Sequence, residues 1–207
     1  MSDPLTWDLT HTALLTIDLQ NDFLHPEGAY GRAGQTSAAL AALPARIAPL
    51  VDAIRARRGI FVSAQFTLVP GPLGGAPLIA PHLQALRPFL GPGDFEPGAF
   101  GHALVADLAP ADVTIEKVAY SAFYQTRLEY VLRALGVDRL IVGGIVTNGG
   151  VASTLRDAHL RGIETVLLTD GTAAFDADVH AATLVSLGTV TAQMTCAEAR
   201  AWLEGQP

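Results

Sequence analysis

The chain has 207 residues, half of them hydrophobic and 16% charged, with a formal net charge of −7. That length and composition favour one globular domain spanning 1–207 and exclude a disordered or low-complexity chain. The acidic balance argues against a nucleic-acid partner, and no apolar run nears the roughly 20 residues that span a bilayer.

The opening stretch MSDPLTWDLTHT lacks the basic-then-apolar order of a signal peptide, so a cytoplasmic location is expected. ALLTIDL (13–19) is nearly all apolar, as a strand covered on both faces should be. Residues 44–58 place Ile47, Leu50, Val51 and Ile54 at helical spacing, with Pro44 in the first turn and Gly59 as the stop. Pro49 inside this helix is expected to bend it. Arg55, Arg57 and Arg58 gather at its end, where positive charge suits the helix dipole. GIFVSAQ (59–65) reads as a second strand. Residues 66–112, rich in Pro and Gly, show no period; a long irregular segment of this kind is often functional and is a candidate cover for a pocket.

VTIEK (113–117) reads as a third strand, and Leu128, Val131, Leu132 and Leu135 mark a helix stopped by Gly136. RLIVGGIV (139–146) is a buried strand. Val151, Thr154, Leu155, Ala158 and Gly162 share one face of the next helix. ETVLLTD (164–170) is a strand, 177–187 and 197–204 are helices, and a short strand lies near 189–193. This order predicts an α/β fold of three layers: a mainly parallel sheet with helices on both faces.

In such sheets ligands bind beyond the carboxyl ends of the strands, which brings three separate spots together. Asp18 ends the first strand, Lys117 ends the third, and TNGG (147–150) follows the next. A buried carboxyl beside a cation can act as a general acid or base near neutral pH. A lysine at a buried strand end needs a partner, and Asp18 is the candidate. The same positions also suit a loop-capping carboxylate and a purely structural ion pair. The amides of Gly149, Gly150 and Val151 at a helix start are candidates to hold an oxyanion or carboxylate.

LLTIDLQNDF (14–23), EKVAYSAF (116–123) and GGIVTNGGVASTLRDA (143–158), taken in series over about residues 12–195, resemble the isochorismatase-like hydrolase superfamily. The resemblance implies a Rossmann-like parallel sheet and hydrolysis of a small polar molecule. Most members carry a cysteine in the third motif that forms a triad with the Asp and Lys; the aligned residue here is Gly150, as in isochorismatases. Cys196, the one cysteine, falls far along the chain and reads as a packing residue. The implied chemistry is therefore cysteine-independent, with Asp18 as the general acid for vinyl-ether hydrolysis and Lys117 orienting it. The alternatives are an amide or imide hydrolase using Asp18-activated water, and an inactive binding homologue.

By the same resemblance Phe23, Gln65, Tyr120, Val146, Gly149 and Gly150 are candidate substrate contacts, and a cis peptide is expected at Ile145–Val146. Two departures stand out. Isochorismatases carry an arginine shortly after the glutamine, and FTLVPGPLGGAP (66–77) has none. They also carry an aromatic residue and a histidine where this chain has Val146 to Asn148. Arg32 reads as an exposed loop residue. His25, His82 and His102 lack ligand spacing, so no metal and no cofactor are expected. His159 and His180 fall on helices and read as surface or packing residues. Family members are usually oligomers, so a homodimer or homotetramer is expected.

Overall fold

The computed structural model describes residues 4–206; the first three residues and the last of the expected 1–207 domain lie outside the described residues. Six strands among the described residues form one sheet: β1 (Thr12–Ile17), β2 (Ile60–Phe66), β3 (Val113–Lys117), β4 (Arg139–Ile145), β5 (Glu164–Ala173) and β6 (Ala192–Met194). Their order is β3-β2-β1-β4-β5-β6, and every pairing is parallel. Short helical turns α1 (Asn21–Leu24), α2 (Ala29–Arg32) and α3 (Ala38–Ala41) precede α4 (Leu43–Ala56). Further helices are α5 (Pro81–Leu86), α6 (Leu128–Ala134), α7 (Ala152–Leu160), α8 (Ala177–Leu187) and α9 (Cys196–Gly205).

The three expected layers are present. β1 is buried along its whole length. Alternate residues point to opposite faces, so each strand feeds two cores. Leu14, Phe61 and Ile141 pack with Ile47, Leu50, Val51 and Ile54 of α4 and with Ala199 and Leu203 of α9. Leu15, Ile17, Val62 and Val142 pack with Leu128 and Leu132 of α6 and Leu155 and Ala158 of α7. Each fully buried side chain of this size contributes roughly 1.5–3 kcal/mol.

Several local expectations shift. α4 runs on through Pro49 and stops at Ala56; the left-handed residue beyond it is Arg58 (φ 56°), not Gly59. Arg55 and Arg57 cap carbonyls: Arg55 donates to Leu108 O at 2.8 Å, and Arg57 to Leu203 O at 2.5 Å and Gln206 O at 2.7 Å. Leu135, read as part of a helix core face, is 43% exposed. β5 extends to Ala173, three residues past the expected end. The final strand sits at 192–194 because Thr191 is tied to Thr165 on β5, Oγ1 to Oγ1 at 2.8 Å.

Gly144 explains the glycine pair on β4. Its φ is 115°, and a Cβ there would lie 2.1 Å from Ile17 O, so a side chain would push β4 away from β1. β1 and β4 flank the point where the strand order reverses, and the loops beyond their ends part to leave a crevice. Among the described residues no helix is long and apolar enough to cross a membrane.

Candidate active site

β1 ends at Ile17, and Asp18 follows in a left-handed conformation (φ 58°), a region a non-glycine residue enters only when its surroundings hold it there. Its amide donates to Ala64 O at 2.8 Å, which fixes the turn. Its Oδ1 accepts the Phe66 N–H at 2.9 Å, and its Oδ2 accepts from Lys117 Nζ at 2.8 Å. Lys117 ends β3 on the sheet edge and reaches across β2 to do so; it also donates to Ala119 O at 3.1 Å. The lysine is 1% exposed and the aspartate 6%. Burial pushes the Asp18 carboxyl above its ordinary range, against the pull of Lys117 and the Phe66 amide.

Above the pair lies a cavity of about 350 Å³, a size that suits a small molecule. Asp18, Phe23, Tyr120, Val146, Gly149 and Gly150, all read from the sequence as candidates, line it. Lys117 stands behind Asp18 rather than in the wall. Gln65 is buried at the end of β2 and is not part of the wall either; Phe66, the residue after it, supplies the amide to Asp18. The Ile145–Val146 bond is cis.

The TNGG turn differs in one respect from the expectation of three open amides. Residues Thr147–Val151 form a single wide helical turn. In it the Gly149 and Val151 N–H groups turn back on Val146 O, at 2.9 and 3.3 Å. Of the three, Gly150 is the one whose amide Val146 does not engage. A Cβ at Gly150 would lie 3.2 Å from Asp18 Oδ2 and 3.1 Å from Ile145 O.

Other wall residues escaped the sequence reading: Tyr30, Arg87, Ala174, Phe175, Asp176 and Val179. The strand-end rule would have found the last four had β5 been drawn to its true end. Arg87 had a weaker signal. Pro81 at the first turn of PHLQAL marks a short helix, and Arg87 is its C-cap. Arg32, by contrast, pairs with Asp94 and is 56% exposed in its side chain. His102 bonds Thr67 Oγ1 at 2.8 Å, away from the wall. His180 on α8 bonds Thr147 Oγ1 at 2.8 Å. No cluster of three or more His, Cys, Asp or Glu placed to hold a metal ion occurs among the described residues. Cys196 is buried between α4 and α9, beside Leu50 and Arg46, and lines a different cleft.

A parallel three-layer sheet, with an ionisable pair set under a small crevice at its switch point, is the build of an α/β hydrolytic enzyme. Residues 12–199 match the Isochorismatase domain model, and the chain belongs to that family of hydrolases. It is 34% identical over 183 residues to the ureidoacrylate amidohydrolase RutB of Methylorubrum extorquens, covering 82% of this chain and 73% of that one. A second RutB, of Methylobacterium radiotolerans, is 34% identical over 201 residues, covering 90% and 77%. Among solved structures, the cysteine hydrolase of Pseudomonas syringae pv. phaseolicola superposes with a TM-score of 0.83 at 28% identity, covering 99% of both chains. An isochorismatase-like hydrolase of Alkaliphilus metalliredigens gives 0.77 at 25% identity, covering 92% of this chain and 98% of its own.

Proposed function

We propose that this hydrolase works without a covalent nucleophile and cleaves a small polar enol ether, with Asp18 as the proton donor. One observation carries the reading. A side chain at Gly150, which the motif resemblance aligns with the family's usual nucleophile, would run to within 3.2 Å of Asp18 Oδ2. No Cys, Ser or Thr is among the residues of the cavity wall described above. A nucleophile's place is thus open to substrate or water beside a carboxyl whose hold on a proton burial strengthens.

Each step balances. Protonated Asp18 gives its proton to the terminal vinyl carbon, and the ether oxygen stabilises the oxocarbenium ion formed. Water adds to the carbon that bears the ether oxygen, giving a hemiketal, and returns a proton to the Asp18 carboxylate. The hemiketal then collapses to a carbonyl product and an alcohol. Lys117 holds Asp18 toward the reacting bond and steadies the carboxylate left after proton transfer.

A second reading is favoured by the curated relatives, which are named amidohydrolases. In it Asp18 is the base that activates water toward an amide or imide carbon, and the product is ammonia or an amine. Candidate enol ethers and small amides assayed side by side for carbonyl product and for ammonia separate the two. Asp18→Asn is expected to lower turnover by about 10²–10⁴-fold, the usual worth of a general acid or base, with thermal unfolding showing the variant folded. Full activity in a folded Asp18→Asn enzyme removes Asp18 from both readings.

A further inference from the structure

α8 carries apolar residues on its inner and its outer side alike. Apart from Asp178 and His180, its 11 residues are Ala, Val, Leu, Thr and Ser, and Leu187 is the buried one. His180 turns inward to Thr147, so Asp178 is the single charge on the outer side. Ala181, Ala182, Val185 and Ser186 are exposed with it, Val185 to 80%. At 3.6 residues per turn, Asp178, Ala182 and Val185 share one outward line. A helix that is apolar all round belongs in an interior, yet this one lies at the surface of the single chain.

Two charges of opposite sign frame this outer side. Asp178 lies in the first turn, and its carboxylate has no ion partner among the described residues. Arg156 of α7 reaches the last turn, where it donates to Ser186 Oγ at 3.2 Å. It has no carboxylate partner among the described residues either. Asp178 and Ser186 stand on either side of Ala182, each about 6 Å from it along the axis. Opposite charges at equal distances from one point are what a patch needs to dock on itself, because a two-fold axis makes each residue meet its opposite number twice. With the axis at Ala182 and the helices antiparallel, position 178 faces 186 and position 179 faces 185.

We propose that a second copy of this chain docks on the outer side of α8, with the two helices antiparallel about Ala182 and Asp178 paired with Arg156 of the partner subunit. Ala181 and Ala182 sit at the crossing, where small side chains let the axes approach to about 8 Å. Val179 meets Val185 of the partner subunit, so apolar surface covers apolar surface at both ends. Val179 and Phe175 also belong to the cavity wall. The partner subunit's Val185 therefore comes to rest at the cavity mouth, and each copy finishes the other's site. Beyond the homodimer or homotetramer expected from the sequence, α8 fixes the face, the register and a shared mouth. None of this depends on which bond the enzyme cleaves.

Sedimentation of the intact protein from about 1 to about 100 μM is expected to show a dimer, or a tetramer built from it. Ala182→Glu sets two carboxylates face to face on the axis and is expected to abolish this association. Asp178→Arg and Arg156→Asp each bring like charges together at both ends, and each should raise the dissociation constant about tenfold or more. Mixed in equal amounts, these two variants should regain native affinity, because each end of the mixed dimer again joins opposite charges. A pairing of Asp178 with Arg156 inside one chain is not repaired by mixing. Thermal unfolding checks each variant, and Ala182→Glu carries the test if either charge variant does not fold. A native monomer throughout that range, an assembly that Ala182→Glu leaves intact, or no recovery on mixing two folded charge variants overturns the proposal. Amide hydrogen exchange over residues 174–186 should slow as the native protein associates; exchange there that ignores concentration refutes the shared mouth.

Discussion

At the scale of single residues, Gly150 is the sharpest test of a site without a nucleophile. A methyl group there would lie 3.0 Å from Ile17 Cγ2, 3.1 Å from Ile145 O and 3.2 Å from Asp18 Oδ2. The side-chain atom can yield a little, but the carbonyl is main chain in the buried end of β4 and cannot move freely. Gly150→Ala is therefore expected to cost about 1–3 kcal/mol of stability by overpacking, and to lower kcat/KM by about tenfold or more by filling the space beside the acid. Thermal unfolding and steady-state kinetics measure the two losses separately. Unchanged kinetics in the alanine variant would mean that the space beside Asp18 is not used. The individual candidates read from the sequence fared unevenly for a physical reason. Asp18 and Lys117 interrupt apolar strand ends, where a charge has to be accounted for. Gln65 interrupts one too, yet it is the main chain of its neighbour Phe66 that meets Asp18, and a main-chain contact leaves no mark on residue type.

At the scale of elements, strand positions were legible because strands buried on both faces must be apolar throughout, whereas loops follow no period. Phe23, Tyr30, Arg87 and Phe175 reach the cavity wall from short turns and loops, and long-range polar contacts hold the neighbouring segments. Buried Asp22 accepts from the Ala29 amide at 2.8 Å and the Phe95 amide at 2.6 Å. Gln20 donates to Phe66 O and His102 O, both at 2.9 Å. Contacts across 46 and 82 residues cannot be seen in local spacing, so Tyr30 and Arg87 stayed hidden. The turn that carries Gly150 has its own brace. Thr172 donates to Gly144 O at 2.7 Å and lies 3.1 Å from Thr147, which lies 2.8 Å from His180 Nδ1. Each hydroxyl has one proton. With the proton of Thr172 on Gly144 O, Thr147 must donate to Thr172, and His180 must donate from Nδ1. His180 on α8 thereby positions the turn, a role its helical spacing did not suggest. His180→Ala is expected to lower kcat/KM by about five- to tenfold, the worth of about one hydrogen bond, and Asn, whose amide nitrogen falls near the place of Nδ1, to restore it. Thr147→Val should act on the same link, so the double variant should lose little beyond either single one. Additive losses in that cycle would show that the two side chains act separately.

At the scale of the whole molecule, the question is whether sulfur takes any part in catalysis. The chain has one cysteine in 207 residues. Cys196 opens α9 and packs in the cleft between α4 and α9, whereas the cavity lies beyond the carboxyl ends of β1, β4 and β5. Burial first, then Asp170, pushes its thiol up to about 12. The thiolate is the reactive form, and at pH 8 almost none is present. Native enzyme held in iodoacetamide at pH 8 is therefore expected to keep its activity. Denaturation should release one titratable thiol, and Cys196→Ala should turn over at the native rate. The three results discriminate because a cysteine mechanism needs a thiolate within reach of Asp18 and Lys117, and the fold separates this sulfur from that pair by the sheet's own layering. Inactivation that keeps pace with alkylation of Cys196 would restore sulfur to the chemistry and would require the two clefts to meet during turnover.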